Sequence, residues 1–291
     1  MLWHDHLSQS LAEMGYMMNV LDNCVCNTTD RGTQCTVAVH VDDFLMNSTT
    51  KDMVIRLSED MRAKYGDVKM KYGDVKMNHS PVVNYLGMVF DLSMKHEATI
   101  TMWKKFAQGK DARTPALDDL FQVNVKDALC SEVVRKEFHR SVARILYQAK
   151  RARPDCLTAA SFLATRVQRC CSGDLIKLVR VMRYVRYTRD HGIALRPGKE
   201  CTCVTVYIDA AYEVHSNGKS HTGSCMVLGD IGVVHCKSSK QGIVAKSSTE
   251  AELVALSDSC NQGIHVRRFL LGQGYLSVPL RVFQDKCLVW P

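Results

Sequence analysis

Apolar residues along the chain fall first at helical spacing. Trp3, Leu7, Leu11 and Met14 recur every three or four positions, and Gly15 follows as a C-cap, which predicts an opening helix. "CTVAVHV" and "FLMNS" are short apolar runs on either side of Asp42 and Asp43, so they predict a β-hairpin with the two acids at its tip. A helix over about 51–64 and strands in "NYLGMVFDLS" and "ATITMW" come next. Residues 107–129 keep no period and predict a loop or linker. Three helices are predicted beyond it. Val134, Phe138, Val142, Ile145 and Ala149 form one stripe behind Ser131 as N-cap. Pro154 breaks that run, a second helix covers about 155–169, and Leu175, Leu178, Val179, Met182 and Val185 mark the third. After Pro197 and Gly198 the period becomes two: in "CVTVYIDAAY" Val204, Val206 and Ile208 oppose Thr205, Tyr207 and Asp209. A hairpin ("TGSCMVLG", "GVVHCKS"), a helix over about 248–271 and a strand at "LRVFQD" complete an α+β pattern.

Composition narrows the class. The 291 residues suffice for about two domains, and 46% hydrophobic with 23% charged residues is ordinary for a globular chain. No apolar run approaches the ~20 residues of a membrane span, and the opening "MLWHDHLSQSLAEMGY" is too polar and acidic for a secretory signal. Thirteen cysteines in that context read as reduced, small hydrophobes of an intracellular protein, cytoplasmic or nuclear. Cys24/Cys26, Cys170/Cys171 and Cys201/Cys203 lack the matched C-x₂-C halves of a zinc site. The heptapeptide "KYGDVKM" occurs twice, at 64–70 and 71–77. With Gly66 and Gly73 it cannot sustain heptad packing, so it reads as a tandem duplication that lengthens a connection.

A net charge of +8 is compatible with a polyanionic partner. Lys177, Arg180, Arg183, Arg186 and Arg189 recur every third residue on the third helix. Such a row drifts ~60° per step, so only part of it shares a face. A solvated helix face is the plain reading of that row, and phosphate contacts by Arg180 and Arg183 are the functional one.

The acids carry the candidate chemistry. Paired carboxylates in an apolar run gain nothing for stability, because burying unpaired charge costs several kcal/mol. Asp209 on a strand, Glu252 on the next helix and Asp285 on the next strand could supply hard oxygen ligands to a divalent ion. Ser247-x-x-Glu250 has the form of a capping box, which gives Glu250 a structural task. Glu252 lies ~200° further round, toward Ala255 and Leu256, and is the functional candidate.

"HVDDFLM", "YLGMVF", "FHRSVARILYQAKRARPD", "YIDAAYEVHSNGKSHTGSCMVLG" and "HCKSSKQGIVAKSSTEAELVALSD" resemble the copia-type retrotransposon Pol polyprotein across nearly the whole chain. The resemblance implies a partial reverse transcriptase palm at 1–106, a linker and helical connection at 107–197, and a truncated RNase H-like domain at 198–291. It implies that Asp42 and Asp43 are polymerase acids, that His40 stands where the family carries tyrosine beside the primer, and that Asp209, Glu252 and Asp285 are RNase H acids. It implies magnesium or manganese as cofactor, RNA–DNA hybrid or other nucleic acid as partner, and the rest of a Pol polyprotein as a further partner. A retrotransposon particle or the nucleus would then be its setting, with no membrane.

Departures from the pattern also carry expectations. The chain as written begins after the family's upstream palm aspartate and fingers, and six residues follow Asp285, fewer than the fourth acid needs. Lys286 stands where the family has asparagine. These departures predict no polymerase activity, weak magnesium binding and little cleavage; the alternative is a non-catalytic nucleic-acid-binding remnant of a transposable element.

Overall fold

The structure is a computed structural model and describes residues 2–41, 43–66, 80–94, 97–102, 110–124, 126–196 and 203–284, with the backbone alone for 94 and 97–102. Asp42, Asp285 and nearly all of the duplicated "KYGDVKM" lie outside the described residues. The chain is mixed α and β, and it divides into two compact units: Met1–Leu86 with Val266–Val278, and Gly87–His265 with Pro279–Pro291.

In the first unit, α1 (Leu2–Glu13) follows the predicted stripe, and Gly15 takes the positive φ of +85° that ends it. Strands β1 (Met17–Met18), β2 (Val25–Asp30), β3 (Thr33–His40) and β4 (Asp43–Ser48) form one antiparallel sheet in that order. Helix α2 (Lys51–Tyr65) packs its apolar face, Met53, Leu57 and Met61, with Leu7, Leu11, Cys35 and Val37 into one core. Strand β5 (Val82–Tyr85) ends at Leu86 and Gly87, both at positive φ. The single strand expected over "NYLGMVFDLS" is therefore two, broken by a turn that Gly87 permits and Leu86 enters under strain.

The second unit begins with β6 (Met88–Met94) and β7 (Glu97–Met102), an antiparallel pair. Helix α3 (Glu132–Arg151) has Ser131 at its N-cap, but the serine side chain makes no capping bond. The second predicted helix is shorter than expected. A 3₁₀ turn at Pro154–Cys156 leads into α4 (Leu157–Ala164), and the chain then turns through 165–169. Helix α5 (Ser172–Tyr187) opens with a capping box in which Asp174 accepts the Cys171 amide at 3.0 Å. These three helices bury Phe138, Val142, Ile145, Phe162, Leu163 and Val181 together.

Strand β8 (Ile193–Leu195) pairs with β7. The last sheet holds β9 (Val204–Ala211), β10 (His221–Leu228) and β11 (Gly232–Lys240), all antiparallel. Helix α6 (Ser248–Gly272) then leads to β12 (Leu280–Gln284), which lies parallel to β9, so the order is β11-β10-β9-β12. Gly263 lets α6 lie close on this sheet: a Cβ there would meet Val206 Cγ2 and Leu280 Cδ1, each at 2.9 Å.

Candidate functional site

Two acidic sites were read from the sequence, and each lies within its own unit. In the first unit His40 faces Asp43 across the β3–β4 ladder, and Val41 follows His40 in the turn. Val41 has φ +55°, the sign that tight hairpin loops require but a strained value for a β-branched residue. The Trp3 indole N–H donates to the Val41 carbonyl at 3.1 Å and ties α1 to the hairpin tip. His40 and Asp43 are both exposed. The half-buried Tyr85 was not singled out by sequence reasoning, although it opens the quoted "YLGMVF". Burial first, and then the charge of Asp43, push its phenol above the ordinary range, so the two groups are neighbours.

In the second unit the alternation along β9 holds: Val204, Val206 and Ile208 are buried, and Tyr207 and Asp209 are exposed on the opposite face. Gly223 of β10 lies across from Asp209, so no side chain crowds the carboxylate from that strand. Glu252 is 6% exposed beside the fully buried Ala251 and Ala255. The Gln284 amide holds it, donating to the Glu252 carboxylate at 2.9 Å and to its backbone carbonyl at 2.7 Å. Because Gln284 pairs with Ile208, one residue before Asp209, Glu252 is fixed at the Gln284 end of β12, where the β9–β12 pairing stops. Gln284 is the residue sequence reasoning missed; its signal was its position next to Asp285.

Glu250 has the structural task expected of it, with one change of partner. The Ser247 hydroxyl accepts the Glu250 amide at 3.1 Å, while the Glu250 carboxylate accepts the Lys246 amide rather than that of Ser247. Glu252 has no basic partner among the described residues, and no three His, Cys, Asp or Glu side chains among them cluster closely enough to hold a metal ion.

Asp209 opens onto a cleft of about 670 Å³ lined also by Tyr207, Phe283, Cys225, Cys236, Lys237 and Ser238. Tyr207 and Phe283 stack with centroids 5.4 Å apart and an interplanar angle of 16°. Both rings are half exposed, so an aromatic platform adjoins the acid. Of the basic row on α5, Lys177 donates to the carbonyls of Leu120 and Gln122, Arg180 to the Thr114 hydroxyl, and Arg186 pairs with Asp111. Much of the row thus clamps the 111–122 segment onto α5. Arg183 is half-buried, and its Nε has no hydrogen-bond partner.

The other motifs quoted above are structural joints. In "ARPD" the guanidinium of Arg153, 3% exposed, forks onto Asp155 and also donates to the carbonyl and hydroxyl of Thr188. In "KSHTG" His221 bonds His215 at 3.0 Å and the Ser238 hydroxyl at 2.7 Å, with the Phe121 ring against both imidazoles. Burial pushes both histidines down to about 4.

No protein-family model and no solved structure matches the chain. Among curated proteins it is 23% identical to a Saccharomyces cerevisiae protein named for transposon Ty5-1, over 89% of this chain and 83% of that one. It is 30% identical to an uncharacterized mitochondrial protein of Arabidopsis thaliana, over 40% of this chain and 49% of that protein. It is 29% identical to a secreted RxLR effector protein of Plasmopara viticola, over 43% of this chain and 87% of that protein. The first two of these relatives support the resemblance to a retrotransposon polyprotein fragment read from the sequence. Among the described residues no helix is long and apolar enough to cross a membrane.

Proposed function

We propose that the chain is reverse transcriptase and RNase H material of a copia-type Pol polyprotein, and that the end of the β9–β12 sheet is an RNase H-type site for RNA–DNA hybrids. The observation that carries this reading is the carboxylate of Glu252, buried with no basic partner among the described residues and held by Gln284, which pairs with Ile208 next to Asp209 in the chain. Burying a carboxylate away from any cation is costly, and a divalent ion is a partner that would offset that cost. Asp209 and Glu252 offer hard oxygen donors of the kind magnesium and manganese take, and Asp285 is the third donor of the reading.

Such an ion, when bound, stabilises charge on the scissile phosphate and lowers the pKa of an attacking water. The residues of the chain do the rest. Gln284 orients the Glu252 carboxylate, Gly223 leaves room beside Asp209, and the Tyr207–Phe283 pair offers apolar rings to a sugar or base. Slow cleavage is the expectation carried by the departures from the family pattern, Lys286 in place of asparagine among them. In the first unit the proposal assigns Asp42 and Asp43 as the polymerase acids, with His40 at the primer side. The chain's net charge of +8 favours a second reading, nucleic-acid binding without chemistry, with Arg180 and Arg183 as phosphate contacts.

A labelled RNA–DNA hybrid incubated with magnesium or manganese separates these readings, with Glu252→Gln as control. Retention of the hybrid with slow cleavage lost in the variant is the expected result. Binding with no cleavage supports the remnant, and robust cleavage lost in the variant overturns the assignment of slow chemistry. Neither binding nor cleavage overturns the proposal altogether.

A further inference from the structure

Cys225 on β10 and Cys236 on β11 are direct partners in the antiparallel ladder. Opposite residues of such a ladder have Cα atoms about 4.5–5.5 Å apart, inside the roughly 4.4–6.8 Å span of a disulfide. Their sulfurs already touch: the Cys236 thiol donates to Cys225 Sγ at 3.7 Å. A side-chain rotation can close that distance to a bond of about 2.05 Å without moving the strands. Both residues are half-buried and line the open cleft of about 670 Å³, so a small solute can reach them.

We propose that Cys225 and Cys236 form a redox-active dithiol that closes to a cross-strand disulfide by exchange with a low-molecular-weight disulfide such as oxidised glutathione. The Cys225 thiolate attacks one sulfur of that disulfide. The S–S bond breaks, one glutathione thiolate leaves and takes a proton from water, and a mixed disulfide remains on Cys225. Cys236 gives its proton to water, and its thiolate attacks Cys225 Sγ. The second glutathione thiolate leaves and takes up a proton from water, and the Cys225–Cys236 bond remains. The protein has lost two electrons and one glutathione disulfide has become two thiols.

The order of attack follows from the contact. The hydrogen bond from Cys236 pulls the Cys225 thiol down to about 7 against the opposing effect of burial, and the same bond raises Cys236. Cys225 is therefore the nucleophile and Cys236 the resolving group. The Cys130–Cys170 pair is a contrast within the same unit: Cys170 is fully buried, and burial pushes it up to about 11. A disulfide joining directly paired strands is strained in general, which makes it easy to reduce again.

The test exposes the full-length chain to oxidised glutathione, quenches with acid, alkylates free thiols and maps peptides by mass. Cleavage at Asp230 separates the two cysteines, so a surviving cross-link between the fragments reports the disulfide. Wild-type protein should give that cross-link, and dithiothreitol should reverse it. Cys236→Ser should stop at a stable glutathione adduct on Cys225. In Cys225→Ser, Cys236 should react at least about tenfold more slowly than Cys225 does in Cys236→Ser. Wild-type protein that keeps both thiols free, or that accumulates a stable adduct with no cross-link, overturns the proposal. The wild-type map needs no variant to fold.

Discussion

Arg153 is the residue whose removal should damage the second unit most. Its guanidinium makes charge-assisted bonds at 3.0 Å and 2.7 Å to Asp155 and bonds both oxygens of Thr188, and Tyr184 lies 5.4 Å from its centre. The residue therefore joins the turn after α3 to the end of α5. In Arg153→Ala every one of these bonds is lost and buried acceptors are left behind. Breaking a buried ion pair costs about 3–5 kcal/mol. The side chain of Asp155 is 35% exposed and can rehydrate, so the lower end, about 3 kcal/mol, is expected. For a domain of this size that is a fall in Tm of about 6–12 °C, read by circular dichroism. Arg153→Lys keeps the charge but loses the fork and should fall in between.

The effect should depend on pH in a definite direction. Burial alone would raise the Asp155 carboxyl, but the bonds and charge of Arg153 outweigh it and hold the group below its ordinary value. A depressed folded pKa contributes stability above the unfolded value of about 3.9 and loses it as pH falls through the folded one. The difference between wild type and Arg153→Ala should thus be full at pH 7 and shrink below about pH 4. A variant that melts within about 1 °C of wild type at neutral pH would refute the reasoning.

Three further outcomes follow from particular contacts. His215 and His221 sit at about 4, below the free value of about 6.5, so the unfolded chain takes up protons first on acidification. Urea midpoints should therefore fall as pH drops from about 6.5 toward 4, and His221→Gln should flatten that dependence; an unchanged slope would count against the buried pair. Gly263→Val drives methyl groups into Val206 and Leu280 and should cost about 1–3 kcal/mol by urea denaturation. Val41→Gly relieves a positive φ and should raise the stability of the first unit by about 1 kcal/mol, with no gain if the strain is absent.

What could be read in the sequence was what repeats or alternates. The stripe of α1, the two-sided pattern of β9 and the burial of Glu252 were all visible, because each follows from periodicity against the core of its own unit. β2 and β8 were not. β2 reads "VCNTTD", polar on both faces, and β8 is three residues long, so neither carries a pattern; β2 is set by its hairpin with β3 and β8 by pairing with the distant β7. The break between β5 and β6 hides in the same way, since Leu86 gives no sign that it will accept positive φ. At the acidic site the carboxylates were legible as misplaced charge. Gln284 was not, because an amide on a strand looks ordinary until its bond to Glu252 is seen.

The claim at the centre of this account is that Asp209 and Glu252 belong to one divalent-cation site. Manganese titrated into the metal-free protein without nucleic acid, with bound ion followed by electron paramagnetic resonance, addresses it most directly. The account predicts weak saturable binding that is lost in Glu252→Gln and in Asp209→Asn, each with an unchanged circular dichroism spectrum. Manganese binding that survives both substitutions, or no binding by the wild-type chain, would contradict it.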